Sequence, residues 1–161
     1  MQSKFITISN NMPSLRVIRS TISELATGPP VVAVLPGGTT GIGSYVANSL
    51  ARAFAKDGSK LRVYIVGRTA SRAEAVIKYG QETSPGSDWR FVAATDLALI
   101  SEVDRVSAEI MRQESDSPLH ETPSIDLLYM SYCYNIMIKP KGKSSDRLDI
   151  SIDIEQSQAK V

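Results

Sequence analysis

The chain has 161 residues, with 18 Lys+Arg against 17 Asp+Glu, one His and one Cys. That is the size of one domain able to bury a real core, and the near-balanced charge gives no electrostatic reason to expect nucleic acid or an anionic membrane as partner. The single cysteine, Cys133, excludes an internal disulfide framework and suits a reducing compartment; with no apolar run long enough for a leader or a bilayer span, a soluble cytoplasmic protein is the expectation.

In chain order, Leu15, Ile18, Ile22 and Leu25 recur at helical spacing and stop at Thr27-Gly28-Pro29-Pro30, a short amphipathic helix leading into the first strand. Val31 to Leu35 is a continuous apolar, β-branched run, as a strand buried on both faces should be. Beyond a glycine-rich stretch, Ile42, Val46, Leu50, Ala53 and Phe54 line one face of a helix ending near Asp57-Gly58. Leu61 to Val66 is a second buried strand. Ser71 followed by Glu74 is a capping-box signature, with Ala73, Val76 and Ile77 on the inner face of the helix behind it. Phe91 to Thr95 is the third strand, with Trp89 packing at its start. Ser101 followed by Asp104 begins a helix carrying Val103, Val106 and Ile110. A polar stretch then leads to Ile125 to Met130, the fourth strand.

Strand alternating with helix predicts a parallel α/β fold: a Rossmann-like doubly wound sheet of order 3-2-1-4 with helices on both faces. The short N-terminal helix precedes it and an irregular tail follows. The organisation read from this pattern is an extension over residues 1–30, a nucleotide-binding half-domain over 31–139 and a divergent tail over 140–161.

The stretch "PGGTTGIG", residues 36–43, lies between the first buried strand and its helix. Gly37, Gly41 and Gly43 stand at G-x-x-x-G-x-G spacing. Gly37 lets the chain turn sharply, Gly41 leaves room for a pyrophosphate to reach backbone N–H groups, and Gly43 allows close helix packing. The helix N-terminus offers free donors and its positive dipole end, with Thr39 and Thr40 as added hydroxyl donors. No Lys-Ser/Thr pair follows the last glycine, which disfavours a Walker-type loop.

The second strand ends in Gly67-Arg68-Thr69, where a dinucleotide fold carries an acid for a free ribose 2′-hydroxyl or a base for a 2′-phosphate. Arg68 is basic with no acid beside it, so NADP(H) is preferred to NAD(H), the alternative being a solvated strand-end arginine. Arg72, one helical turn on, either assists or is a surface charge. Asp96, after the third strand, either accepts from an adenine amino group, the preferred reading, or caps the next turn.

Together "PGGTTGIG", "VYIVGRT", "ATDL" and "IDLLYMS" stand in the order and spacing of the short-chain dehydrogenase/reductase family, which residues 13–150 resemble. The N-terminal segment is similar more narrowly to fungal members found with secondary-metabolite pathways. The resemblance implies a Rossmann fold and NADP-linked reduction of a small carbonyl or oxidation of an alcohol. It places the glycine segment on Gly37, Gly41, Ile42 and Gly43, with Pro36 replacing the usual threonine, the cofactor-discriminating position on Arg68, and the adenine-side acid on Asp96 with Leu97 beside it. The family's usual Asn-Asn-Ala-Gly aligns with Met130-Ser131-Tyr132-Cys133, a departure that leaves Ser131 to line the crevice.

Family chemistry uses Tyr-x-x-x-Lys, in which the lysine lowers the tyrosine pKa for proton exchange with the substrate oxygen. No such pair occurs in the 161 residues; Tyr134 and Lys139 are one residue too far apart, and Pro140 argues against a helix there. The catalytic residues are therefore unassigned, and the chain reads as cut short or differently spliced before the catalytic half. Two functions stay open: a short-chain reductase, or a catalytically silent nucleotide-binding or interaction module.

The lone His120 allows no histidine pair or triad and is expected to be solvated. Cys133 reads as an inert, partly buried thiol. No metal-ligand spacing is present. Lys139, Lys141 and Lys143 read as solvated loop. Leu148, Ile150, Ile152 and Ile154 alternate with polar residues at strand period, and we read this tail as a cover for the open, apolar edge of the fourth strand, with disorder as the alternative. That edge is also the expected route of any self-association.

Overall fold

The structure, a computed structural model, describes residues 13–131. Tyr132, Cys133, Tyr134, Lys139, Pro140, the lysine run and the alternating tail therefore lie outside the described residues. The elements are α1 (Leu15–Glu24), β1 (Val31–Pro36), α2 (Gly41–Ala53), β2 (Leu61–Gly67), α3 (Ala70–Thr83), β3 (Asp88–Ala93), α4 (Ile100–Asp116) and β4 (Leu127–Leu128).

The four strands form one parallel sheet of order β3-β2-β1-β4, the Rossmann-like order expected from the alternation. Register runs from Val31↔Leu61 to Pro36↔Val66 between β1 and β2, and from Arg62↔Asp88 to Gly67↔Ala93 between β2 and β3. The third strand thus starts three residues earlier than its apolar run, because Asp88 and Trp89 find partners on β2. Only Leu127 and Leu128 pair on the β4 side, although the Tyr129 amide also donates to the Val34 carbonyl at 3.0 Å.

Side-chain alternation divides the core into two layers. Ala33 and Leu35 with Leu61, Val63 and Ile65 face α2 and α3, where Ala47, Leu50, Ala51, Phe54, Ala73 and Val76 cover them. Val32, Val34, Tyr64 and Val66 face the other way, onto Val106 and Ile110 of α4. Burial on both faces explains why β1 reads as an unbroken apolar run and β2 as one broken only at Arg62.

Several helix details differ from the sequence pattern. On α2 the expected face holds except at its start: Leu50 and Phe54 are buried and Val46 and Ala53 pack half-buried on the core, but Ile42 is 69% exposed, and Gly43, Ala47 and Ala51 share the buried face. Small residues enter that face because the helix lies close against the turn and the sheet. Ser71 does not cap α3, which begins behind Thr69, and Ser101 does not cap α4, which begins behind Leu99. Helix α1 is capped by Ser14, whose Oγ accepts from the Val17 amide at 3.4 Å, but Leu15, Ile18, Ile22 and Leu25 remain partly exposed. Among the described residues no helix is long and apolar enough to cross a membrane.

An unexpected buried network ties β2, β3 and α4 together at the far end from the glycine turn. Arg62, 5% exposed, donates from Nη1 to Glu114 Oε1 and Oε2 at 3.0 and 3.1 Å and from Nε to Asp88 Oδ2 at 2.9 Å. The Tyr64 hydroxyl donates to Glu114 Oε1 at 2.6 Å, and Arg90 Nη1 donates to that hydroxyl at 3.1 Å. Glu114 is fully buried, and each of its oxygens is satisfied, as a buried carboxylate requires.

Candidate functional site

In a parallel sheet the carboxyl ends of all strands share one edge, and the connections there form the usual ligand crevice. Gly37 leaves β1 with φ of 80°, a left-handed conformation that a glycine adopts without strain, and its amide donates to the Val66 carbonyl at 2.9 Å. The chain doubles back at Gly38, whose amide donates to the Leu35 carbonyl at 2.9 Å. Thr40 is extended and makes no side-chain cap, so α2 starts with its first amides uncapped by that residue. Gly41 has φ of 57°, and a Cβ there would meet nothing within 4 Å. It is both left-handed and open on its outer side.

Gly43 serves close packing, but mainly against the turn itself. A Cβ there would overlap Ser131 Oγ and stand 2.5 Å from the Gly37 carbonyl oxygen and 2.9 Å from Gly38 Cα. Ser131 is half-buried, and both its amide (3.0 Å) and its hydroxyl (3.2 Å) donate to the Pro36 carbonyl. The end of β4 is thereby fastened onto the glycine turn.

The same turn touches the end of β2. Thr39 is half-buried with its methyl against Gly67, where an added Cβ would stand 2.7 Å away. Arg68 follows at once, exposed, and among the described residues no hydrogen bond or ion pair engages its guanidinium. Arg72 is exposed as well.

Asp96 is half-buried and its Oδ1 accepts from the Ala98 amide at 3.0 Å, while its carbonyl accepts from the Leu99 amide at 3.1 Å. Of the two roles weighed for this carboxylate, the turn role is therefore filled. Leu97 packs on the α4-side core layer.

The structure thus gathers Gly37, Thr39, Gly41, Gly43 and Ser131 at one spot and sets Arg68 next to them through the Thr39–Gly67 contact. Asp96 stands one strand further along, where the Ala94 amide donates to the Gly67 carbonyl at 2.9 Å. Ile42 and Thr40 are exposed at the mouth of the turn. His120 corrects its expectation of solvation. It is tucked in, with Nε2 2.8 Å from Asp126 Oδ2, and that oxygen also accepts from the Val32 amide at 2.7 Å.

Sequence reasoning missed Glu102 and Arg105 on α4. Glu102 Oε1 accepts from the Thr95 amide at 2.6 Å and the Thr95 hydroxyl at 3.1 Å. Arg105 donates to both Glu102 oxygens at 2.9 Å and from Nη2 to the Ala93 carbonyl at 2.5 Å. The Arg105 guanidinium first, and the Thr95 amide second, hold the Glu102 carboxyl down to about 2. An i,i+3 acid–base spacing on a helix was the only sequence signal, and it occurs equally on surface helices.

A parallel β3-β2-β1-β4 sheet with a left-handed glycine turn after its first strand defines a Rossmann-type α/β protein. No protein-family model matches the sequence. Among curated proteins, the chain is 61% identical over 127 residues to "Short-chain dehydrogenase/reductase SAT2" of Stachybotrys chartarum, a match covering 78% of this chain and 36% of that one. It is 33% identical over 121 residues to "Oxidoreductase andH" of Emericella variicolor, covering 74% and 32%. The chain belongs to the short-chain dehydrogenase/reductase family, and it spans about a third of the length of these relatives. Similar solved structures include L-sorbose reductase from Gluconobacter frateurii in complex with NADPH and L-sorbose, at TM-score 0.47 and 24% identity over 62% of this chain and 32% of that one. They also include the Pseudomonas aeruginosa RhlG/NADP complex, at TM-score 0.47 and 20% identity over 70% and 38%.

Proposed function

We propose that this chain holds NADP(H) on its glycine turn as the cofactor half of a carbonyl or alcohol oxidoreductase. The carrying observation is Gly41, left-handed and open at the start of α2, beside an exposed arginine at the neighbouring strand end. The residues fit the ligand's chemistry. Amides of the first turn of α2 and the Thr40 hydroxyl suit the pyrophosphate, and Arg68 suits a 2′-phosphate as a charge-assisted donor. Exposed Ile42 and half-buried Ser131 flank the path toward the nicotinamide, and Asp96 and Leu97 flank the adenine side. When bound, the nicotinamide supplies or accepts the hydride; the chain's own residues bind and orient it. A place in fungal secondary metabolism, and cytoplasmic residence, rest on the resemblance of the N-terminal segment and on composition.

A second reading, a catalytically silent nucleotide-binding or interaction module, is favoured by one observation: among the described residues β4 stands at the open edge of the sheet. Isothermal titration with NADPH and NADH, followed by NADPH oxidation with a panel of ketones, separates the two. Tighter NADPH binding with turnover supports the reductase, and saturable binding without turnover supports the module. Absence of binding sinks the nucleotide reading in both forms and leaves only the interaction module.

A further inference from the structure

We infer that the Glu102–Arg105 pair positions the loop carrying Asp96 and Leu97, acting as a substitute for a missing neighbouring strand. The inference rests on the NADP(H) reading above, because that loop lies on the adenine side of the proposed site.

Among the described residues β3 is an edge strand of the sheet, so the outward backbone groups at its carboxyl end have no ladder partner there. Its inward side is met by β2, through the Ala94 amide on the Gly67 carbonyl. On its outer side the Ala93 carbonyl and the Thr95 amide, two residues apart, point the same way. Arg105 supplies the donor for the first and Glu102 the acceptor for the second, and the two side chains bond each other. An acceptor and a donor joined rigidly on one helix face are what an adjoining strand would have offered. The next residue is Asp96, whose own carboxylate is already turned back on the Ala98 amide. The direction in which the loop leaves the sheet is therefore set at Thr95, by α4, before Asp96 begins its turn.

Electrostatics gives the test its edge. The proposed ligand is a polyanion, so deleting a nearby carboxylate should by Coulomb's law tighten binding. Positioning predicts the opposite sign.

The full chain and its Glu102→Ala variant are titrated with 2′,5′-ADP, which carries the adenine and 2′-phosphate alone, and with NADPH. Glu102→Gln keeps an oxygen for the Thr95 amide, and Glu82→Ala removes a glutamate from the exposed Lys78–Glu82 pair on α3. Positioning requires Kd for both ligands to rise about tenfold in Glu102→Ala, much of that to be recovered in Glu102→Gln, and no change in Glu82→Ala. Unchanged or tighter binding in Glu102→Ala, even with a lowered thermal midpoint, reduces the pair to a structural role and overturns the inference. A wild-type chain that binds neither ligand overturns the nucleotide reading and this inference with it, a result distinguishable from the first.

Discussion

Gly43 lies directly against Ser131, so close that a methyl group on the glycine would overlap the serine Oγ. Behind it stands the Gly37 carbonyl, 2.5 Å from where that methyl would sit. The start of α2, the turn after β1 and the end of β4 therefore meet in one contact with no spare volume. Gly43→Ala is expected to cost about 1–3 kcal/mol, the usual range for an added methyl that backbone must move to admit. Urea denaturation measures it. Combining it with Ser131→Gly should return only part of the loss, because the Gly37 carbonyl stays in place.

Arg68 carries the preference for a 2′-phosphate in the proposed function. Arg68→Ala should weaken NADPH binding by about tenfold or more, the loss of a charge-assisted contact, while leaving NADH affinity within about twofold. Titration of both cofactors against both proteins tests this. Equal losses for the two would assign Arg68 to general attraction of anions rather than to discrimination.

Glu114 is fully buried and joined to Arg62 and Tyr64. Removing one partner of such a pair leaves a desolvated charge, a loss of about 3–5 kcal/mol. Glu114→Ala should fall in that range by chemical denaturation, whereas Arg62→Met with Glu114→Leu should cost far less. A single-variant loss below about 1 kcal/mol would mean that water reaches Arg62.

Alkaline pH should act through Tyr64. Burial first, and the Glu114 hydrogen bond second, push its hydroxyl up from 10.0 to about 12. A raised folded-state value means that the neutral hydroxyl is favoured by folding, so its stabilising contribution is complete below pH 10 and lost as pH climbs toward about 12. Denaturation midpoints at pH 9 and pH 11 should differ more in the parent chain than in Tyr64→Phe. An equal drop in both would place the titrating group elsewhere.

The strand order was legible because β1 and, Arg62 apart, β2 are apolar on both faces, and each is followed by an amphipathic helix. Helix faces were less legible. Periodicity found Val46, Leu50, Ala53 and Phe54 on α2 but also Ile42, which is exposed, and it missed Gly43, Ala47 and Ala51, small residues that give little hydrophobic signal. The ends of α3 and α4 were misread because Ser71 and Ser101 have good capping chemistry, yet both fall inside helices set by Thr69 and Leu99. At the site, Gly37 and Gly41 were readable from their place between strand and helix. Glu102 and Arg105 were not, since their significance lies in backbone groups on another element. Arg62 and Glu114 are separated by 52 residues, a pairing no local pattern announces.

β2 is buried on both faces, so hydrophobic patterning alone does little to choose among its alignments with β3. The ion network makes that choice. Moving β2 along β3 by a single residue would set Leu61 or Val63 opposite Asp88 in place of Arg62 and leave Glu114 buried without its cation. Arg62 thus acts as a combination lock on the alignment of β2 with β3, and what it secures lies at the opposite end of those two strands: the Arg68 position comes level with the loop that carries Asp96, where the Ala94 amide meets the Gly67 carbonyl.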